Sequence, residues 1–227
     1  KAHKWLADVV GELIEIGQSL TRDTDGDGSI DRYGLVWNYT EPFFFIPFMS
    51  GFGGWIMDDT GKPTLNNQGV IDGLKFIRDL RDKYKIIPAE ADYNIADALF
   101  KDGKAAMIVN GDWSWSGYRK AGLDIGVAPL PRIVKTGLWC SPMVSPKGFS
   151  INRNVQGEKL ALVEDVLRFL LSPENELQTA KALTTMPTRI ELYTDPFILN
   201  DEILRNSRIQ IERGRPMPVV PELRAIW

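Results

Sequence analysis

One stretch near the middle of the chain, residues 100–116 with the sequence FKDGKAAMIVNGDWSWS, constrains the fold more than any other. An apolar stripe at helical spacing leads into it, and Gly103 is typical of the left-handed residue that ends a helix. The compact apolar run 105–109 then predicts a buried strand, which Asn110 and Gly111 end in a tight turn. A helix followed by a buried strand and a turn is the order expected in an α/β sheet.

Two tryptophans, Trp113 and Trp115, follow this turn at once. Open α/β sheets place ligand contacts in the loops that follow their strands, so two indoles in such a loop are placed for recognition. A large aromatic side chain also gains free energy from burial wherever it lies. From these residues alone, core or rim packing is the stronger interpretation.

Composition excludes several function classes. The chain has 227 residues, a formal net charge of −3 and no long basic run, which argues against nucleic acid as a partner. No apolar stretch reaches membrane-spanning length. Cys140 and His3 are the only cysteine and histidine, which removes internal disulfides, Ser-His-Asp and Cys-His catalysis and nearly all zinc sites. Neither a signal peptide nor an initiator Met is recognisable, and we expect a processed or truncated chain.

The loop after the first predicted helix carries Asp23, Asp25 and Asp27 at alternate positions, as in the first half of an EF-hand calcium loop. The twelfth position is Gly34 instead of the bidentate Glu, and Asp31 is the carboxylate that could replace it. A structural calcium ion held by these four aspartates and a solvated acidic turn are both open interpretations. No other cofactor is expected.

A carboxylate, a proline and two bare aromatic rings stand together at Glu41, Pro42, Phe43 and Phe44. Such a mixture suits a sugar, because sugar hydroxyls need polar acceptors while the C–H faces pack on rings. The alternative is a hydrophobic strand end with an incidental Glu. The segment alone favours that alternative slightly.

The remaining pattern predicts a sequence of helices and short strands. Trp55 follows a glycine-rich turn at 51–54 and is predicted to be exposed. Helices are predicted at 12–20, 70–84, 159–171, 173–183 and 203–213, and strands at 34–38, 125–131 and 149–152.

Several separated motifs point to one family when they are taken together. They are EPFF at 41–44, DYNIADALF at 92–100, GKAAM at 103–107, NGDWSWS at 110–116, LSPE at 171–174, PMP at 216–218 and AIW at 225–227. In this order and at this spacing the sequence resembles the bacterial maltose/maltodextrin-binding proteins, extracytoplasmic receptors that deliver oligosaccharides to ABC importers. The resemblance runs from about residue 12 to the end of the chain.

The resemblance implies an α/β fold, a periplasmic-binding-protein-like lobe with a mixed sheet flanked by helices, which lacks most of the N-terminal lobe. It predicts that residues 1–148 form the body of the C-terminal lobe, with the sugar-stacking aromatics. Residues 149–192 are then helices that pack on the N-terminal lobe in the family, and residues 193–227 return to the C-terminal lobe. Residues 1–10 do not continue the family pattern.

The same resemblance implies ligand-binding roles for individual residues. Glu41 is expected to bond sugar hydroxyls, with Pro42, Phe43 and Phe44 lining the pocket. Many relatives carry Tyr at the position of Phe43, so the hydroxyl hydrogen bond of those relatives is not expected here.

For the tryptophans, the resemblance implies that Trp113 and Trp227 stack on glucose rings and that Trp115 packs behind Trp113. The Arg that follows the tail tryptophan in the family has no counterpart in this chain.

By resemblance, the function is binding of maltooligosaccharides in the periplasm or another extracytoplasmic space, with the membrane subunits of an ABC importer as partners of the full-length protein. An enzyme is not expected. A glycoside hydrolase is the alternative, but it needs two carboxyl groups about 5–10 Å apart, and Asp112 is the only local candidate beside Glu41. A scaffold that binds no sugar is the third interpretation.

Because the resemblance implies an incomplete lobe, we expect apolar residues of the helix 159–171 to be uncovered. These are Leu160, Val163, Leu167 and Leu170. We expect a second fragment, self-association of the chain or a rearrangement to cover them.

Overall fold

The computed structural model describes residues 9–226. The described residues divide into two compact units. Unit 1 comprises the described residues of Lys1–Gly111, Ala128–Val144 and Ile209–Trp227, and unit 2 comprises Asp112–Val127 and Ser145–Arg208. These boundaries do not coincide with the predicted divisions at 148 and 192, and the assignment of segments to lobes stays a prediction.

Ten α-helices and four short strands follow one another in the described part of the chain. In chain order they are α1 (Val10–Leu20), β1 (Tyr33–Val36), α2 (Pro42–Gly51), α3 (Gln68–Asp82), α4 (Tyr93–Lys101), β2 (Ala105–Ile108), α5 (Trp115–Lys120), β3 (Met143–Val144), α6 (Gly157–Leu170), α7 (Pro173–Leu183), α8 (Pro196–Asn200), α9 (Glu202–Glu212), β4 (Arg215–Pro216) and α10 (Leu223–Ile226). Two 3₁₀ helices, Asp112–Ser114 and Ile190–Thr194, complete the regular structure.

Unit 1 is built around two parallel strands and the helices packed on them. Strand β1 pairs with β2 in parallel, with Leu35 opposite Met107, and both residues contribute to the same apolar cluster. Strand β3 pairs with β4, also in parallel. A parallel pair needs a crossover of a dozen residues or more, and α2, α3 and α4 all lie between β1 and β2 in the sequence.

Helix α2 is the central element of unit 1, although the sequence favoured a strand end at its first residues. That interpretation was wrong. The helix begins at Pro42, whose fixed φ and missing N–H suit the first turn of a helix. Seven of its ten residues are buried, including Phe44 and Phe48. Because the helix is apolar on every side, its sequence has no amphipathic period that would have revealed it.

Helix α3 packs against α2 at very short range. The Asn67 side chain caps it by accepting from the backbone N–H of Val70 at 3.0 Å. A Cβ added to Gly73 would lie 2.9 Å from the Met49 Cα atom, which is closer than side chains pack. Trp55 is also part of this core with 8 % of its surface exposed, so its predicted exposure was wrong.

Unit 2 has a small core and a large exposed apolar face. Its buried cluster contains Ala180, Ile198 and Leu204, with Met186 and Phe197 packed against it. Helix α6 lies at nearly the predicted bounds, but none of its fourteen residues, all of them described, is buried.

The exposed face of α6 differs in detail from the prediction. Leu170 is exposed as expected, whereas Leu160, Val163 and Leu167 are half-buried. The most exposed apolar side chains of the helix are Leu162, Val166 and Phe169, at the spacing of one helical face. Helix α6 therefore has an exposed apolar face, but this face is rotated about the helix axis from the one that the sequence indicated.

Two predicted strands, 125–131 and 149–152, are absent from the described chain, where these residues have no regular structure. A strand needs a neighbour for its backbone hydrogen bonds. In the segment 125–131, side chains bond the backbone instead: Asn206 donates its amide to the Val127 carbonyl at 2.7 Å within unit 2, and Gln210 accepts from the Leu130 N–H within unit 1.

No helix among residues 9–226 is both long enough and apolar enough to cross a membrane.

Candidate functional site

The two tryptophans of the central motif lie in different environments within unit 2. Trp113 belongs to the 3₁₀ helix Asp112–Ser114 and is 44 % exposed, whereas Trp115 begins α5 and is only 9 % exposed. The loop expected here is thus helical, because Trp115 and Tyr118 are one helical turn apart and both bury their rings. One indole remains open to solvent and the other is in the core.

Two charged side chains lie beside the exposed indole. The Lys147 Nζ atom lies 5.9 Å from the centre of the Trp113 ring. Burial raises the pKa of the Asp112 carboxyl group above its ordinary value, while a hydrogen bond from the Met186 backbone N–H and the charge of Lys147 oppose that rise. An apolar ring face, a cation and a partly desolvated carboxyl group therefore stand together.

The buried indole of Trp115 packs on the Tyr118 ring, with ring centres 6.2 Å apart. Its Nε1 atom is buried and has no hydrogen-bond partner within residues 9–226. Its predicted place behind Trp113 and its role in binding a ligand both stay predictions.

The acidic and aromatic residues of the other predicted motif share the first turn of α2 in unit 1. Glu41 is the N-terminal flanking residue, and its carbonyl oxygen accepts from the Phe44 N–H at 3.1 Å. Phe43 and Phe44 meet edge to face with ring centres 5.4 Å apart. Phe44 is buried in the core, whereas Phe43 and Glu41 are half-buried and Pro42 is exposed.

The structure thus brings the predicted ligand-binding residues together in two separate sets. Unit 1 holds Glu41, Pro42, Phe43 and Phe44, and unit 2 holds Trp113 and Trp115. Trp227 lies outside the described residues.

The acidic loop brings three of its four predicted calcium ligands together. One carboxylate oxygen from each of Asp23, Asp25 and Asp27 lies within 4.8 Å of the other two, and all three residues are exposed. Asp31 instead accepts from the Thr24 N–H and hydroxyl groups, which hold the pKa of Asp31 below its ordinary value. Calcium binding by this loop stays a prediction.

An open groove of about 660 Å³ lies beside the start of α3 in unit 1. Its side chains are largely occupied by internal hydrogen bonds. Asp58 accepts from the backbone N–H groups of Thr60 and Lys62, and the Asn67 carboxamide bonds both Thr64 and Val70. We assign no ligand to this groove.

Lys147 is the functional candidate that sequence reasoning missed. It stands in an irregular segment between Pro146 and Gly148, where no helical or strand period gives its side chain a direction. Only the three-dimensional structure shows that its ammonium group lies over Trp113.

Comparison with known sequences identifies one family and several oligosaccharide-binding relatives. Residues 10–206 match the family described as bacterial extracellular solute-binding protein. The chain is 31 % identical over 204 residues to a maltotriose-binding protein of Pyrococcus abyssi, covering 88 % of this chain and 44 % of that protein. It is 28 % identical to a galactooligosaccharide-binding protein of Bacillus subtilis, covering 88 % and 49 %. The chain therefore spans about half the length of the curated relatives it matches.

Comparison with solved structures agrees. The maltose/maltodextrin-binding domain of Bdellovibrio bacteriovorus, bound to maltotriose, is 45 % identical with a TM-score of 0.88, and the match covers 97 % of this chain and 58 % of that one. A maltotriose-binding protein of Thermus thermophilus, also with maltotriose, is 26 % identical with a TM-score of 0.80, covering 96 % and 57 %. These likenesses confirm the predicted α/β, periplasmic-binding-protein-like fold.

Proposed function

The chain belongs to the family of bacterial extracellular solute-binding proteins, and we propose that it binds maltooligosaccharides as part of the receptor of an ABC importer. The resemblance to maltose/maltodextrin-binding proteins is confirmed by relatives of that name. The family description supports an extracytoplasmic location. The membrane subunits of the importer would be the partners of the whole protein.

The observation that carries this proposal is the exposed indole of Trp113. An aromatic face that is 44 % exposed costs free energy in water and is available to the C–H face of a pyranose ring. The neighbouring charged groups of Asp112 and Lys147 suit the hydroxyl groups at the edge of such a ring.

In unit 1, we propose that the half-buried Glu41 accepts hydrogen bonds from sugar hydroxyls and that Pro42, Phe43 and Phe44 line the same surface. Only part of the Phe44 ring would contribute, because that residue is mostly within the core. Trp227 is proposed as a second stacking platform on the strength of the sequence motif alone.

Tryptophan fluorescence during titration with maltotriose tests the proposal, with xylose as the control sugar. We expect a saturable change with maltotriose only. Trp113→Ala should remove the binding, because truncating a central aromatic contact costs about 2–4 kcal/mol. Trp139→Phe is the matched control: Trp139 lies in unit 1 under the Arg213 guanidinium, 3.5 Å from its ring centre, and its replacement should leave binding intact.

A glycoside hydrolase is the second candidate, and the raised pKa of the Asp112 carboxyl group favours it, since a general acid must be protonated. The relatives are named as binding proteins, which favours binding without hydrolysis. Thin-layer chromatography after long incubation separates the two: intact maltotriose supports a receptor, and shorter sugars support an enzyme. An absent fluorescence response would support the scaffold interpretation.

We also propose that the isolated chain self-associates through the apolar face of α6. Leu162, Val166 and Phe169 expose more than half of their surface along that face, and contiguous exposed apolar area is typical of an interaction site. Light scattering should give a mass above that of one 25.6 kDa chain. A monomeric mass without binding of an apolar dye would contradict this proposal.

A further inference from the structure

The surroundings of Trp113 contain a group that no sequence motif requires. Lys147 is exposed and belongs to a segment without regular structure, yet its Nζ atom lies over the Trp113 ring at 5.9 Å from the ring centre. A long, flexible side chain loses conformational entropy when it is held in one place. Holding the ammonium group over the indole therefore needs an attraction that offsets this entropy.

Two groups supply that attraction. The electron-rich face of an indole attracts a cation. The Asp112 carboxyl group lies near enough to interact with the Lys147 charge, and it is itself held by a hydrogen bond from the Met186 N–H. Burial disfavours the charged form of the Asp112 carboxyl group. The nearby Lys147 ammonium favours that form and so offsets part of the desolvation cost.

The chemistry of this arrangement selects a neutral sugar. A pyranose ring packed on the indole directs its hydroxyl groups outward around the ring edge, and the Lys147 ammonium group, 5.9 Å from the indole centre, offers three N–H donors to them. The Lys147 charge also interacts with the Asp112 carboxyl group, so the ammonium does not call for an anionic ligand. A hydrogen bond from an ammonium to a hydroxyl oxygen is charge-assisted and stronger than a neutral one.

We propose that Lys147 is a specificity-determining residue of the Trp113 platform. Its ammonium group donates a hydrogen bond to a hydroxyl group of the sugar ring that packs on the indole, and Asp112 is the positioning residue that holds the ammonium in place. This inference rests on the proposed function, because it requires a sugar on Trp113.

Titration calorimetry with maltotriose tests the role of Lys147. Lys147→Met keeps the length of the side chain but removes the donor, and it should weaken binding about tenfold or more. Lys181→Met is the matched control, since the Lys181 Nζ atom lies 5.6 Å from the centre of the Phe197 ring in the same unit. That variant should bind maltotriose as the wild type does. Lys147→Arg keeps a charged donor and should restore most of the affinity.

A double-mutant cycle tests the positioning role of Asp112. Asp112→Asn keeps the shape and the acceptor oxygen but loses the charge, and it should weaken binding about threefold to tenfold. In the Lys147→Met background the same change should have no further effect, because no ammonium remains to be positioned. Equal losses in both backgrounds would overturn the positioning role.

The outcomes separate this inference from the proposed function. If the wild type binds, Trp113→Ala does not and Lys147→Met binds as tightly as the wild type, the inference is overturned and the function stands. Tighter binding by Lys147→Met would also overturn it, since Lys147 would then block the platform. A wild type without any maltotriose response overturns the function and the inference together.

Discussion

Helices α2 and α6 both carry large apolar side chains but lie in opposite surroundings. Seven of the ten residues of α2 are buried in unit 1, whereas none of the fourteen residues of α6 in unit 2 is buried. Phe48 and Phe169 show the contrast most directly, with 0 % and 67 % of their surfaces exposed.

The difference shows that unit 1 buries most of the apolar side chains of α2, whereas unit 2 leaves an apolar face of α6 exposed. Helix α2 is apolar on all sides, and seven of its ten residues are buried, as expected for such a helix. Helix α6 carries an apolar stripe that no described residue buries, so its stability in isolation relies on local contacts. Contiguous exposed apolar side chains of this kind are typical of an interaction site.

The largest effect that would test this comparison is expected from Phe48→Ala. Removing this buried ring should lower the free energy of unfolding by about 3–5 kcal/mol, through lost burial and a cavity. Urea denaturation measures the change.

Labelling of Cys140 gives a second readout for the same variant. Burial raises the pKa of the Cys140 thiol to about 12, so it should not react with a thiol reagent at pH 8 while unit 1 is folded. Phe48→Ala should speed the labelling. A wild-type thiol that reacts as fast as free cysteine would contradict the compact core of unit 1.

The contact between α2 and α3 predicts a smaller effect. Gly73→Ala forces a methyl group towards the Met49 backbone and should cost about 1–3 kcal/mol. Gly11→Ala in α1 is the matched control, because nothing lies within 4 Å of its added Cβ. The control should gain up to about 1 kcal/mol from the better helix propensity of Ala. Equal effects at both glycines would show that α2 and α3 do not pack closely.

In unit 2, Asp112→Asn should stabilise the fold slightly, by less than about 1 kcal/mol at neutral pH. The pKa of the Asp112 carboxyl group is raised on folding, so the folded state holds its proton more tightly than the unfolded state does. The Asp112 contribution to stability is therefore lost as the pH rises from the unfolded pKa of 3.8 through the raised folded pKa. Thermal melting of the two proteins should agree in acid and diverge in favour of the variant at neutral pH.

The smallest effect is expected on the exposed face of α6. Phe169→Ala should change the free energy of unfolding of the dilute chain by no more than about 0.5 kcal/mol, because the ring is already in water. The same urea titration as for Phe48→Ala makes this a matched pair. A loss above 2 kcal/mol would mean that Phe169 is covered in solution.

Local signals predicted much of the fold. Helices α3, α4 and α7 directly follow Asn67, Asp92 and Ser172, whose side chains cap them by accepting from backbone N–H groups of the first turn. Strand β2 and the left-handed Gly103, with φ of 70°, were also predicted, because a strand between turn signals is a local pattern.

What could not be predicted depends on tertiary contacts. Helix α2 has no amphipathic period because it is apolar on every side, and its proline and aromatics therefore suggested a strand end. The segment at 125–131 looks like a strand but has its backbone bonded by the side chains of Asn206 and Gln210, which are about 80 residues away. Lys147 has no sequence signal, since its proximity to Trp113 joins two distant segments.

Hydrogen–deuterium exchange of the chain with and without maltotriose tests the central claim most directly. We expect slower exchange in residues 112–120 when the sugar is present, because a ring packed on Trp113 restrains the 3₁₀ helix and α5. Exchange in α6 should stay unchanged. Unchanged exchange throughout residues 112–120, or sugar protection confined to α6, would contradict the claim that Trp113 is the sugar-binding platform of this chain.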